Sequence, residues 1–213
     1  MEQAELSTDD HAEPASALKV AIIVGSTRPG RKADAVARWV QDIAVRRDDA
    51  SFEVVDIADY ALPHLDELMP PMAGQYSQSH TQEWAAKIGS FDAFVFVTPE
   101  YNHSTSGALK NAIDFLFAEW NDKAAGFVSY GATGGIRAVE HLRLVMGELK
   151  IADVRSQVTL ALEDEWEDYT DPGSFAPNVT HEEDVAAMLD ELVAWGAALK
   201  TLREATRATD GRS

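Results

Sequence analysis

The sequence contains no cysteine among its 213 residues. That absence excludes disulfide frameworks, thiolate nucleophiles, cysteine-ligated zinc and iron–sulfur clusters. Histidine can also bind metals, but the six histidines form no i, i+4 pair and no His-Glu-x-x-His motif, so we expect no metal site. Any redox chemistry would therefore depend on a bound cofactor.

Basic residues are also scarce, because 18 Lys and Arg stand against 36 Asp and Glu, a formal net charge of −18. So negative a surface repels phosphate backbones and anionic lipid headgroups, and we expect neither a nucleic-acid nor a membrane partner. No apolar run approaches the roughly 20 residues of a membrane span. The N-terminus is polar and lacks the apolar core of a signal peptide, so we expect a cytoplasmic protein.

Apolar segments of two kinds alternate along the chain. Nearly continuous apolar runs predict buried parallel strands at 18–24, 52–57, 92–98, 124–130 and 154–162, and helical spacing predicts helices at 32–46, 81–88, 106–119, 135–150 and 181–202. We therefore predict one α/β domain over residues 18–205, with helices on both faces of a parallel sheet. Residues 1–17 (acidic) and 206–213 are expected to be disordered tails, and residues 163–178 an irregular insertion.

Ligands of such sheets bind at the carboxyl ends of the strands, which directs attention to the loops after strands one, three and four. The first loop, residues 25–32, combines a hydroxyl and three cations with a helix start, and this combination predicts a phosphate cradle. Its members are Ser26, Arg28, Arg31, Lys32 and Ala33, the last two at the start of the predicted helix. The loop lacks both the Gly-Lys-Ser/Thr of a P-loop and the three glycines of a dinucleotide fingerprint, so a monophosphate fits best. The alternative is a capped turn whose basic residues face solvent.

The other two loops combine planar and small groups. The second offers Pro99, Glu100, Tyr101 and Asn102, which can line the edge of a flat heterocycle; the alternative is a helix start capped by Ser104, Thr105 or Ser106. The third contains Gly131, Gly134 and Gly135, which permit close approach of a ligand to the backbone; the alternative is an ordinary tight turn.

These loops together resemble the NADPH-dependent FMN reductase family of flavodoxin-like proteins, over roughly residues 18–205. The most specific element is Pro99-Glu-Tyr-Asn102 followed by Gly107-Ala-Leu-Lys-Asn-Ala-Ile-Asp114, and Gly25-Ser-x-Arg28 and the turn from Gly131 to Arg137 support it. The resemblance implies a three-layer fold with strand order 2-1-3-4-5. It also implies FMN, with its phosphate in the first loop and its isoalloxazine against 99–102 and 131–135. Family members often carry Ser and Asn where this chain has Arg31, Lys32 and Ala33.

The implied reaction is hydride transfer from NAD(P)H to FMN N5 and onward to free flavin, a quinone or a similar small acceptor. The cofactor supplies that chemistry, so no side chain is nominated as catalytic acid or base. Family precedent and apolar helix faces suggest a homodimer or homotetramer, with Lys110 and Asp114 as a surface or subunit-contact pair. Two alternatives stay open: a flavodoxin-type electron carrier, which the acidity suits but the charged first loop does not, and a flavin-free binding module.

Overall fold

A computed structural model describes residues 17–210 of the chain. Five strands and six helices alternate: β1 Leu18–Val24, α1 Ala33–Ala44, β2 Ala50–Asp56, α2 Ser79–Gly89, β3 Ala93–Pro99, α3 Gly107–Asp114, β4 Lys123–Gly131, α4 Ile136–Glu148, β5 Ile151–Ala161, α5 Leu162–Glu165 and α6 Thr180–Asp210. Short 3-10 turns lie at Ile57–Tyr60, Pro71–Ala73 and Pro172–Ser174. No helix in this part of the chain is long and apolar enough to cross a membrane.

The five strands form one parallel sheet in the order β2-β1-β3-β4-β5, which confirms the predicted fold. β3 and β4 are buried along their whole length, as their continuous apolar sequences predict. Successive residues of β1 face opposite layers: Ile22 packs with Val36 of α1 and Leu189 of α6, whereas Ile23 packs with residues of α2, α3 and α4. The sheet is therefore sandwiched between two helical layers.

The segment from Leu162 to Val179 differs most from its prediction as an irregular insertion, and we call it the strap. It contains α5, the turn at Pro172–Ser174 and an antiparallel bridge between Trp166 and Phe175. Trp166 is 4% exposed and belongs to the core cluster beneath α1 and α6. Two aromatic side chains thus anchor a segment whose acidic, Gly and Pro content suggested a loose loop.

Several element ends also differ from the prediction. Helix α6 continues to Asp210, so residues 206–210, predicted to be part of a disordered tail, are helical. Strand β5 begins at Ile151 rather than at residue 154, and α3 ends at Asp114 rather than 119. The rest of the two predicted tails, 1–16 and 211–213, lies outside the described residues.

Candidate functional site

Hydrogen bonds join the three loops at the carboxyl edge of the sheet. Gly25 N donates to Val97 O at 2.8 Å, and Glu100 N donates to Tyr130 O at 2.9 Å. Ser106 caps α3 by accepting from Leu109 N, and its hydroxyl donates to Gly25 O at 2.6 Å. The structure thus brings the three predicted loops together, and Ser106 is the cap among the three candidates.

Arg31 braces the first loop from inside. Its guanidinium donates to Ser26 O at 2.9 Å and to Asp34 Oδ1 at 2.8 Å, and it forms an ion pair with Asp56 at the end of β2. Burial opposes the charge of Arg31, but the hydrogen bonds and charges of the two carboxylates outweigh it and raise the Arg31 pKa. The side chain therefore fixes the shape of the loop, and two carboxylates already neutralise its charge.

Lys32 points away from the loop and under the strap. Its side chain is buried, with Nζ 5.0 Å from the centre of the Trp166 ring and 3.4 Å from Asp171 O. Burial lowers the Lys32 pKa. Of the three cations expected to form the phosphate cradle, Arg31 and Lys32 therefore already have intramolecular partners.

Arg28 and the start of α1 face the open side of the loop. Arg28 is exposed, and its guanidinium has no partner among residues 17–210. Helix α1 begins without a side-chain cap, so the first-turn N–H groups of Ala33 and Asp34 carry the positive end of the helix dipole into the loop. An uncapped helix start beside an unpaired guanidinium is a site for an anion.

The second loop is held in an uncommon backbone conformation. Asn102 and His103 have φ angles of 48° and 74°, and Tyr101 forms a bridge with Ser104. The Tyr101 hydroxyl lies 3.1 Å from Ser26 Oγ, which links this loop to the first. The Glu100 side chain is 7% exposed, and its carboxylate accepts from Arg137 Nε at 2.7 Å.

The third loop requires its glycines. Gly134 and Gly135 both have φ of 75°, the left-handed region that side chains disfavour. A Cβ at Gly135 would lie 2.8 Å from Tyr130 N, and one at Gly131 would lie 3.1 Å from Glu100 Cβ. Ser129 Oγ donates to Gly134 O at 2.7 Å and fixes the turn. The loop therefore presents bare backbone at the edge of the sheet.

A cavity of about 420 Å3 opens beside the first loop, on the face that carries α3. Thr27 of the first loop lines one side of it, and residues of the turn after β2 and of α3 line the rest. Asn111 forms part of its wall. Its side-chain amide binds the connection between β2 and α2: Nδ2 donates to Pro63 O, and Oδ1 accepts from Leu65 N. The cavity provides space for a ligand next to the loops.

Comparison with known proteins identifies the family. The family model for NADPH-dependent FMN reductase matches residues 18–165. The chain belongs to this family. It is 41% identical over 147 residues to an NAD(P)H-dependent FMN reductase of a Nectria species, covering 64% of this chain and 73% of that one. It is 34% identical over 144 residues to a 2-hydroxy-1,4-benzoquinone reductase of a Burkholderia species, covering 63% and 73%. The structure of the flavoenzyme NAD(P)H:(acceptor) oxidoreductase FerB from Paracoccus denitrificans aligns with a TM-score of 0.65 at 21% identity, covering 85% of this chain and 98% of that one.

As a member of the FMN reductase family, the chain is an oxidoreductase that uses FMN as cofactor and NAD(P)H as electron donor. The family assignment confirms the predicted function and does not favour the electron-carrier alternative. FMN, when bound, accepts a hydride from NAD(P)H and passes two electrons to an acceptor. What this chain's residues must do is bind the phosphate, place the ring and exclude water.

The residues present fit a flavin phosphate. Besides Arg28 and the uncapped α1, the Tyr130 hydroxyl is buried without a hydrogen-bond partner among the described residues. Burial raises the Tyr130 pKa well above its usual range, so the hydroxyl stays protonated and offers one donor. Tyr101 and Asp34 add to this shift of the pKa, whereas Arg28 and the backbone N–H of Ala33 partly oppose it. A buried hydroxyl with a free donor suits an oxygen of a phosphate.

Three contributors to the site escaped the sequence analysis. Tyr130 and Trp166 form part of the wall behind the first loop, with ring centres 5.9 Å apart, and Asp56 pairs with Arg31. Asp56 and Tyr130 lie at the ends of predicted strands, and that position was the usable signal for both. The Trp166 contact depends on the strap, whose path the sequence pattern did not indicate.

Proposed function

We propose that the first loop binds the FMN phosphate through Ser26, Arg28 and the Ala33 amide. Arg31 and Lys32 serve this site by holding the loop in shape, since their own charges are engaged. The isoalloxazine lies against the backbone of the other two loops, formed by Pro99, Glu100, Tyr101, Asn102, Gly131, Gly134 and Gly135. The uncapped start of α1 beside an unpaired Arg28 carries this proposal. Residues 18–205 form the flavin-binding unit.

The acceptor that we propose is a quinone or free flavin. The name of the Burkholderia relative, a benzoquinone reductase, supports a quinone. A planar acceptor can stack on the ring and take a hydride without help from a side-chain acid, which suits loops that present mostly backbone.

The test is to load the purified chain with FMN, exclude oxygen and add NADPH. We expect bound flavin to bleach promptly and a quinone to restore its colour with turnover. Flavin that bleaches only with dithionite would contradict the reductase and favour a carrier. Loss of one charge-assisted contact costs about 1.5–3 kcal/mol, so Arg28→Ala should weaken FMN binding by tenfold or more. Arg38→Ala, at an exposed arginine on α1, is the matched control and should leave affinity unchanged.

We also propose that the protein is a homodimer or homotetramer. Leu144 on α4 is 78% exposed and Ile136 47%, which leaves exposed apolar area on the helix after β4. Light scattering should find an oligomer at micromolar concentration, and Leu144→Glu should weaken it. Val179→Glu, at a 75% exposed residue of the strap, should not. A monomeric wild-type protein would refute the proposal.

A cytoplasmic location is the last part of the proposal. A chain with a net charge of −18 and no cysteine has no need of an oxidising compartment. Cell fractionation should recover it with cytoplasmic markers, and recovery from a membrane or secreted fraction would contradict this.

A further inference from the structure

A second concentration of positive charge lies at the amino edge of the sheet, opposite the flavin loops. A cavity of about 210 Å3 there is lined by five basic side chains and only two acidic ones. They are Lys19, Lys123, Lys200, Arg203, Arg207, Asp92 and Glu204, and we call this place the amino-edge pocket. Such an excess is unexpected in a chain with twice as many acidic as basic residues.

Asp92 pairs with basic side chains of the pocket itself. Its Oδ1 accepts from Arg203 at 2.5 Å, and its Oδ2 lies 3.3 Å from Lys200 Nζ and accepts from Lys19 N at 3.1 Å. Arg203 also donates to Asp122 O at 2.5 Å. The carboxylate of Asp92 therefore already serves three donors, and its charge is shared between Arg203 and Lys200.

Three cations of the pocket, the exposed Lys19 and also Lys123 and Arg207, have no carboxylate partner among the described residues. Lys123 is 4% exposed, and its Nζ donates to Ile88 O at 3.0 Å and lies 3.5 Å from Gly89 O, at the end of α2. Arg207 is exposed on α6, and no side-chain partner is found for it between residues 17 and 210. An ammonium has three N–H donors, so Lys123 keeps capacity for one more acceptor.

The pKa of Lys123 reflects its burial and the positive charges near it. Burial lowers the Lys123 pKa to about 7, and the charges of Arg203 and Arg207 lower it as well, against partial compensation by Asp92 and Glu119. Lys19, Lys200 and Glu204 are the other charged groups that line the pocket. An anion placed among these groups would favour the charged form of Lys123.

We propose that the amino-edge pocket binds a small oxyanion, either free phosphate or the phosphate group of a small monoester, between Lys123 and Arg207. A volume of about 210 Å3 compares with roughly 30 Å3 per water, so the pocket accommodates the anion with a few waters but not a nucleotide. Guanidinium and ammonium groups are the side chains that bind such oxyanions most strongly. The site is separate from the flavin site and does not depend on it.

The test uses the full chain loaded with FMN, so that the phosphate site of the first loop is filled. Calorimetric titrations with sulfate, inorganic phosphate and glycerol 3-phosphate at pH 7 should each show saturable binding. Sulfate does not titrate near neutral pH, so proton uptake measured with it in buffers of different ionisation enthalpy belongs to the protein. We expect uptake of a fraction of a proton, because Lys123 with a pKa of about 7 is partly neutral there.

Variants connect the binding to the two side chains. Arg207→Ala should weaken sulfate binding by about tenfold or more, and Lys123→Met should also abolish the proton uptake. Arg38→Ala, outside the pocket, should change neither. If Lys123→Met does not fold, the sulfate affinity of Arg207→Ala still tests the proposal. Tighter binding of the ester than of phosphate would identify a monoester as the ligand, and the reverse would identify the free ion. The proposal would be overturned by the absence of saturable binding, by an equal loss of sulfate affinity in Arg38→Ala, or by proton uptake that persists in Lys123→Met.

Discussion

Alanine substitutions at three glycines distinguish two costs of adding a methyl group. Gly30 and Gly135 belong to the flavin loops, and Gly147 lies near the C-terminal end of α4. Gly135 has φ of 75°, and a Cβ there would lie 2.8 Å from Ser129 Cβ and from Tyr130 N. Gly30 has φ of 68°, but nothing lies within 4 Å of its Cβ position. Gly147, in α4, has neither a positive φ nor a neighbour within that distance. Alanine therefore meets strain and overlap at the first, strain alone at the second and neither at the third.

The expected changes in unfolding free energy follow in that order. A left-handed backbone costs an alanine about 1–2 kcal/mol, which is the whole effect expected for Gly30→Ala. Overlap with a backbone atom that cannot move adds about 1–3 kcal/mol, so Gly135→Ala should lose roughly 2–5 kcal/mol. Gly147→Ala should gain about 0.5–1 kcal/mol, because glycine is the poorer helix former.

Urea unfolding of the FMN-free protein measures these values, since bound FMN would add its own stabilisation by mass action. The midpoints should differ at constant slope. Gly135→Ala should additionally weaken FMN binding, whereas Gly147→Ala should not. If Gly135→Ala came within about 0.5 kcal/mol of wild type, or if Gly30→Ala cost as much, close approach of the turn to β4 would not explain Gly135.

Three further predictions concern the surroundings of the site. Trp166→Ala should lower stability by about 3–5 kcal/mol and weaken FMN binding, since it removes a core side chain and uncovers Lys32; Trp195→Ala, at a 49% exposed residue, should change neither in the same assays. Burial opposes the charge of His181, but hydrogen bonds to Asp184 and Glu165 outweigh it and raise its pKa. Its stabilising charge is thus present below pH ~6.5 and lost as pH rises through the raised pKa, so His181→Gln should be less stable than wild type in acid unfolding assays and converge on it in alkali. Arg137→Met leaves the buried Glu100 carboxylate unpaired and should weaken flavin binding in fluorescence titrations; unchanged affinity would show that this ion pair does not position the second loop.

The sheet was accessible to sequence reasoning because its central strands are buried on both faces. Residues 93–99 and 123–131 read as nearly continuous apolar runs, and so do residues 18–24 of β1. Edge strand β5 was harder. Its first residues include Asp153, which disfavours strands by propensity but here forms an ion pair with Arg143 of α4. A tertiary contact therefore set the beginning of that strand.

The candidate site was likewise predictable from the sequence only in part. The positions of the loops follow from topology and glycine content, and the structure brings them together as predicted. The sequence does not predict the partners of the basic side chains, because Arg31 pairs with a residue 25 positions away and Lys32 contacts one 139 positions away. A local pattern of basic residues predicts positive charge, and it cannot predict which of those charges the fold itself neutralises.

That distinction changes the meaning of the net charge. Within the first loop, Arg31 is balanced by Asp34 and Asp56, so the positive potential offered to a ligand comes from Arg28 and the α1 dipole. At the amino edge, Asp92 forms ion pairs with Lys200 and Arg203 but none with Lys123. In both places a carboxylate holds part of a basic cluster in position and leaves the remainder uncompensated. A strongly acidic surface around such sites lowers the attraction of polyanions, while a small anion, which fits within the site, still meets local positive charge.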